Sequence, residues 1–230
     1  MRSIDEQYAE VAERGAAVVS SGRGHRDAPP ADGDSRWGLS AVLRLPPEVA
    51  DPIAEFGQSL GESFGADHII YPADQLHSTL RSLEAFRADV PADDEKVDRY
   101  AELIGEVTVG LGPIEIAYRG ALASPVGILI AGWPADLPRL RRLRTELHER
   151  MSVAGLLSGP ERGGPRDLFH ASACVFMGPI TDPGAAIGTL GLNAERDFGI
   201  ARFSRIEIVR YWRNDKSLGL VPLRELALAG

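Results

Sequence analysis

Residues 74–83 read DQLHSTLRSL, and residues 167–176 read DLFHASACVF. In both, an acidic residue and a Leu come before a His, and a hydroxyl residue stands two places beyond it. Apolar residues follow each time. The two histidines, His77 and His170, are 170 − 77 = 93 positions apart. The same small pattern made twice, about half the chain apart, suggests a two-lobed body built on a pseudo-repeat. Read as strands, the motifs alternate with period two. That places His77, Thr79 and Arg81 on one face, with Ser78 and Leu80 on the other. It likewise groups His170, Ser172, Cys174 and Phe176. Each motif then presents an imidazole and a hydroxyl side by side, about 7 Å apart at the usual strand rise.

The rest of the chain supplies elements to carry those strands. Residues 3–19 have helical spacing, with Ile4, Tyr8, Val11 and Ala16 on one side. Residues 20–38, SSGRGHRDAPPADGDSRWG, are polar and rich in Gly and Pro and read as a flexible linker. LSAVLRL alternates as a strand, and Pro46-Pro47 ends it. Residues 49–64 repeat apolar positions at helical spacing through Ile53, Phe56, Leu60 and Phe64. A second such helix covers 93–111. PIEIAYRG and VGILIAGW are strands, and Asp136 caps a helix over 137–154. RFSRIEIVRYW and LGLVPLRELAL close the chain as strands. Helices and strands do not alternate strictly, which excludes a doubly wound parallel sheet. The expected fold class is α+β and bilobal, with two mainly antiparallel sheets flanking a central cleft and helices outside. Residues 1–37 are expected as an N-terminal helix and linker, and 38–230 as one bilobal domain.

Composition narrows the partners. With 230 residues, 44% hydrophobic and 25% charged, the chain can bury a full core. No apolar run approaches the roughly 18 residues that span a bilayer, so no membrane partner is expected. The formal net charge is −8. Proteins that grip long nucleic acid usually carry a basic footprint, so no stable long nucleic-acid complex is expected. Of the 25 basic residues, 25 − 2 = 23 are Arg, which suits bidentate phosphate contact and equally reflects a general Arg bias. One cysteine permits no internal disulfide, and the N-terminus has no apolar signal region; a cytoplasmic location is expected. Nothing in the sequence bears on oligomeric state.

Two imidazoles flanking one small volume suit the cleavage of a P–O bond. A base must deprotonate the attacking oxygen and an acid must protonate the leaving one. Histidine, with an ordinary pKa of about 6.5, does either. Paired hydroxyls can donate to non-bridging phosphate oxygens. No metal or cofactor is required in principle.

HSTL and HASA resemble the two H-x-[Thr/Ser]-hydrophobic motifs of the 2H phosphoesterase superfamily, which includes 2′-5′ RNA ligase-like proteins and cyclic nucleotide phosphodiesterases. The resemblance extends to LSAVLRLP, to the approach YPADQLHSTLRSL and to the closing IEIVRYWRNDKSLGLVPLRELAL, covering roughly residues 38–228. It implies a bilobal fold with the motif strands side by side in a central cleft. It also implies metal-independent hydrolysis of a 2′,3′-cyclic phosphate or similar small nucleotide or RNA-end phosphodiester. His77 and His170 would be acid and base, and Thr79 and Ser172 would hold phosphate. The alternatives are a 2′-5′ ligase-like activity and a non-catalytic nucleotide- or RNA-end-binding protein. This chain departs from the pattern at Ala173, at Ser172 where Thr is common, and at Tyr211-Trp212 where many relatives have a small polar residue. The resemblance does not reach the first 37 residues.

Competing readings stand beside these. Two histidines are too few for a zinc site, which takes three or four ligands. A Ser-His hydrolase would need a nucleophile, base and acid, and no G-x-S-x-G occurs. Arg81 is either a phosphate contact or an ion-pair partner at the rim. Tyr211 and Trp212 are either base-stacking platforms or core. Cys174 reads as a small core residue, and the Arg-rich stretch PRLRRLRTELHER as a solvated helix.

Overall fold

The computed structural model describes residues 2–229. Helix α1 (Ile4–Ser21) opens on a reciprocal cap, with the Ser3 hydroxyl accepting the Glu6 N–H and the Glu6 carboxylate accepting the Ser3 N–H. It stops at Gly22, whose φ of 67° is the left-handed conformation that ends helices. Its buried stripe runs through Ile4, Tyr8, Gly15 and Val19, while Ala16 faces out. At Gly15 a Cβ would lie 2.1 Å from the Ala123 carbonyl oxygen, so glycine alone lets the helix lie this close to the sheet.

The chain continues through β1 (Ser40–Arg44), α2 (Pro47–Ser59), α3 (Gly61–Phe64), β2 (Ile69–Ile70) and β3 (His77–Ser82). Next come α4 (Glu95–Thr108), β4 (Ile114–Ser124), β5 (Gly127–Pro134), α5 (Leu137–Val153) and β6 (Phe169–Val175). It closes with α6 (Pro183–Asn193), β7 (Asp197–Phe203), β8 (Arg205–Arg213) and β9 (Leu218–Ala227). The strands form one sheet in the order β7-β4-β5-β6-β3-β1-β8-β9, with β2 beside β6, and the pairings are antiparallel. The two sheets expected from sequence are the halves of this one: β7-β4-β5-β6 and β3-β1-β8-β9. Helices α2 and α6 pack on the first half, and α4 on the second. The fold class is α+β.

Two parts of the architecture leave little trace in the sequence. Helix α6 reads PGAAIGTLGLN, where three glycines lower helix propensity and Ala186 is the buried residue, so no apolar stripe announces it. Asp182 caps it and Pro183 begins it. The strand expected over RFSRIEIVRYW divides at Ser204 between β7 and β8. Those two strands lie at positions one and seven of the sheet order, so the sheet must curl to bring them one residue apart. The helix expected over 49–64 also divides, into α2 and α3.

The halves meet at β3 and β6, which pair through Ser78 and Ala171. Ser78, fully buried, donates from Oγ to the His170 carbonyl (2.8 Å) and exchanges a hydrogen bond with the Tyr118 hydroxyl (2.7 Å). Below the junction lies Arg144 of α5, 1% exposed. Its guanidinium donates to the carbonyls of Thr79 (2.8 Å), Leu80 (2.9 Å), Arg166 (3.0 Å) and Leu168 (3.2 Å). Its flat face sits 3.5 Å from the Phe169 ring centroid. One side chain therefore ties both motif strands from beneath.

Arg144→Lys keeps the charge but has one ammonium for four carbonyls spread over a planar fork. Leaving buried acceptors unpaired costs about 1–3 kcal/mol each, so urea unfolding of this variant should show a loss of at least ~2 kcal/mol.

Candidate active site

Alternation turns one face of the five central strands toward a common cavity of about 220 Å³. Strand β3 contributes His77 and Thr79, β6 contributes His170, Ser172 and Cys174, and the neighbouring strands add Leu129, Ser40 and Tyr211. The register makes the arrangement two-fold. Ser78 faces Ala171, and 78 + 171 = 249. Extending that antiparallel register by one residue each way sets His77 opposite Ser172 and Thr79 opposite His170. Each imidazole thus has one hydroxyl two residues along its own strand and another across the junction. A larger cavity, about 980 Å³, lies between α4 and α5 and contains neither histidine.

The two imidazoles differ in their surroundings. His77 is 7% exposed. Its Nδ1 lies 2.9 Å from the Gln75 carbonyl oxygen, which can only accept, so Nδ1 carries the hydrogen. Nε2 is then the acceptor, 2.8 Å from the Tyr211 hydroxyl. His170 has no such anchor among the described residues: its Nδ1 is buried without a hydrogen-bond partner there. Both rings are held neutral at rest. Burial pushes the His77 imidazole down to about 4, opposed by the Gln75 carbonyl. Burial, then the guanidiniums of Arg166 and Arg144, then His77, push His170 down to about 3.

The sequence-based candidates divide. His77, Thr79, His170, Ser172 and Tyr211 line the cavity; Arg81 and Trp212 do not. The reason for Arg81 is a bulge. Strand β1 pairs Val42 with Thr79 but Ala41 with Arg81, so Leu80 is an extra residue and alternation slips there. Thr79 faces the cavity, then Ser82 does, and Arg81 points into the protein at 1% exposure. There it contacts Glu161 (3.4 Å), the Met151 sulfur (3.2 Å) and His148 Nδ1 (3.1 Å). Trp212 follows Tyr211 and so faces the other way, 42% exposed, with its indole against Gly219. Tyr211 is 7% exposed and its ring packs on Trp37 and His77, so it steers His77 instead of offering a free face to a base.

The cationic side chain that sequence reading overlooked is Arg166. It lines the cavity, with Nε on Glu161 (2.8 Å) and the second guanidinium nitrogen on the Ser82 hydroxyl (2.9 Å). Glu161 also accepts the Ser82 N–H at 2.8 Å. Burial alone would raise this carboxyl, but Arg166, the Ser82 N–H and Arg81 together hold it below its ordinary range. Arg166 sits in the loop before β6, four residues short of His170, with no periodicity to say where it points. Ser35, Arg36, Trp37 and Gly38, from the segment read as a linker, line the cavity too. Among the described residues, no group of three or more His, Cys, Asp or Glu is gathered to hold a metal ion. Among the described residues, no helix is long and apolar enough to cross a membrane.

Solved structures share this architecture. A protein of Thermus thermophilus, TT0787, is 18% identical over 84% of this chain and 98% of its own, with a TM-score of 0.59. Escherichia coli LigT complexed with 3′-AMP is 16% identical over 84% of this chain and 99% of its own, with a TM-score of 0.56. A structure described as a phosphoesterase has the same coverage and TM-score at 15% identity. LigT has also been crystallised with phosphate, ATP and NADP+. No protein-family model matches the sequence, and neither does any curated protein. The chain has the 2H phosphoesterase fold.

Two imidazoles depressed from an unfolded value of about 6.5 bind fewer protons folded than unfolded below neutrality. Their contribution to stability is therefore complete above about pH 6.5 and lost as pH falls toward 4 for His77 and 3 for His170. Urea unfolding at pH 7 and pH 5, where carboxylates titrate little, should show wild type losing stability at pH 5. The His77→Gln/His170→Gln double variant should lose markedly less.

Proposed function

We propose that this protein is a phosphodiesterase that hydrolyses a 2′,3′-cyclic phosphate or a similar small nucleotide diester by two-histidine acid–base catalysis. The observation that carries the reading is that His77 and His170 line one cavity with Thr79 and Ser172 interleaved between them. Bound adenosine 3′-phosphate in a structural neighbour supports a nucleotide substrate.

In the proposed reaction, the hydroxyls of Thr79 and Ser172 donate to non-bridging phosphate oxygens, and Arg166 offsets the charge that gathers there. One imidazole takes a proton from water as its oxygen bonds to phosphorus. The other gives a proton to the ribose oxygen as its P–O bond breaks. The products are a phosphate monoester and a free ribose hydroxyl, and the site has exchanged one proton between its two rings. The asymmetry of the rings supports an assignment. Guanidiniums oppose an imidazolium at both rings, Arg44 and Arg166 at His77 and Arg166 and Arg144 at His170, but the Gln75 carbonyl stabilises one at His77 alone. The proton of a singly protonated pair rests on His77, which makes His77 the acid and His170 the base.

The test is hydrolysis of 2′,3′-cyclic mononucleotides with excess chelator present. Each of His77→Ala and His170→Ala should lower kcat about 10²- to 10⁴-fold. Activity that vanishes with chelator, or that survives both substitutions, would overturn the mechanism. On an aryl phosphodiester, whose leaving group departs without a proton, His77→Ala should regain most of its rate while His170→Ala stays impaired. The reverse pattern would exchange the roles.

A pH profile provides a second check. The active free enzyme carries one proton on the pair, and both rings are depressed. So kcat/KM should rise as pH falls from 7 toward 5. Bound phosphate stabilises the imidazolium, so the kcat profile should lie at higher pH than that of kcat/KM.

A further inference from the structure

Trp37 is, among the described residues, the non-glycine residue with positive φ, at 65°. A bulky side chain adopts that conformation only where its surroundings impose it, and such strain gathers at functional sites. The surroundings here are explicit. The indole N–H donates to Asp27 Oδ2 at 3.1 Å. The guanidinium carbons of Arg36 and Arg213 each lie 5.1 Å from the ring centroid. The indole meets the Tyr211 ring at 5.6 Å and 73°. Next to it, a Cβ on Gly38 would fall 1.8 Å from the Glu84 carbonyl oxygen, so the segment is pressed against the end of β3.

Asp27 fastens the other end. Only 8% exposed, it accepts from Arg36 at 3.1 Å and Arg213 at 3.4 Å besides the indole, and its N–H reaches the Phe176 carbonyl. With its ring already contacted by two guanidiniums and Tyr211, Trp37 is built as a wall and not as a stacking platform. The cavity volume, about 220 Å³, is below the roughly 300–1,000 Å³ usual for drug-sized ligands.

We propose that residues 27–38 form a strap that closes one flank of the cavity and limits it to mononucleotide-sized phosphodiesters, with Trp37 as the barrier and Asp27 as the clip. This rests on the phosphodiesterase reading above for the identity of the substrate, but it can be tested without turnover. Calorimetric titration would compare adenosine 3′-monophosphate with the trinucleotide ApApA bearing a 3′-phosphate. Wild type should bind the mononucleotide at least about tenfold tighter. Trp37→Gly suits the left-handed backbone and removes the wall, and Asp27→Asn loosens the clip outside the cavity. Each should shrink that ratio to roughly threefold or less, while Trp37→Phe should preserve it. Thermal melts establish that each variant is folded.

Equal binding of both ligands by wild type would overturn the strap, as would variants that weaken both ligands by one common factor. Parallel hydrolysis of the matching 2′,3′-cyclic phosphates separates the two proposals. Size-selective binding without hydrolysis of either would sustain the strap and sink the activity. No measurable binding of the mononucleotide would sink both.

Discussion

The junction between β3 and β6 is what the rest of the molecule is arranged around. Two halves of a sheet meet there through one paired position, Ser78 with Ala171, and so few ladder bonds could not hold two strands in fixed register by themselves. Buried polar groups make up the difference. Ser78 grips the His170 backbone, and Arg144 takes four carbonyls from the two motif strands and their approaches. Burying a guanidinium with carbonyl partners is costly, and the Arg144 pKa falls to about 9 as a result. What that cost secures is placement: a short junction leaves room above it for a cavity, and a rigid one keeps the two imidazoles on opposite sides of it.

The same buried charge shapes the chemistry above it. Arg144 and Arg166 both disfavour a proton on His170, and burial disfavours one on either ring. A site that starts neutral and positively flanked is poised to gain a proton when an anion enters. Glu161 keeps the balance by joining Arg81 on the inner side to Arg166 at the cavity. Sequence reasoning valued the wrong arginine of this pair because Arg81 looked, by alternation, like the one beside the histidines. The bulge at Leu80 turns Arg81 inward as internal support, and Arg166, from the loop before β6, is the partner of Glu161 that reaches the cavity.

Much of the fold was legible because its signals are local. Helices α2, α4 and α5 follow from apolar spacing with caps, and β4, β5 and β9 from alternation between turn residues. Helix α6 was not, since a glycine-rich helix with one buried alanine has no stripe to read. The division at Ser204 was not either, because nothing in the alternating stretch RFSRIEIVRYW records that its two parts pair at distant positions of a curled sheet. Residues 20–38 are polar and rich in Gly and Pro, which describes their lack of regular structure and not their position beside the cavity.

From sequence alone come the two strands, their matched histidines and hydroxyls, and the chemistry those groups can perform, because side-chain identity and period-two alternation are properties of a short stretch of chain. Only the tertiary structure decided which residues share the cavity. That depends on an antiparallel register set by one pair, on a bulge that reverses alternation at a single residue, and on an arginine, a tyrosine and a tryptophan brought from remote segments. Those placements arise from contacts between parts of the chain that carry no mark of one another in the sequence.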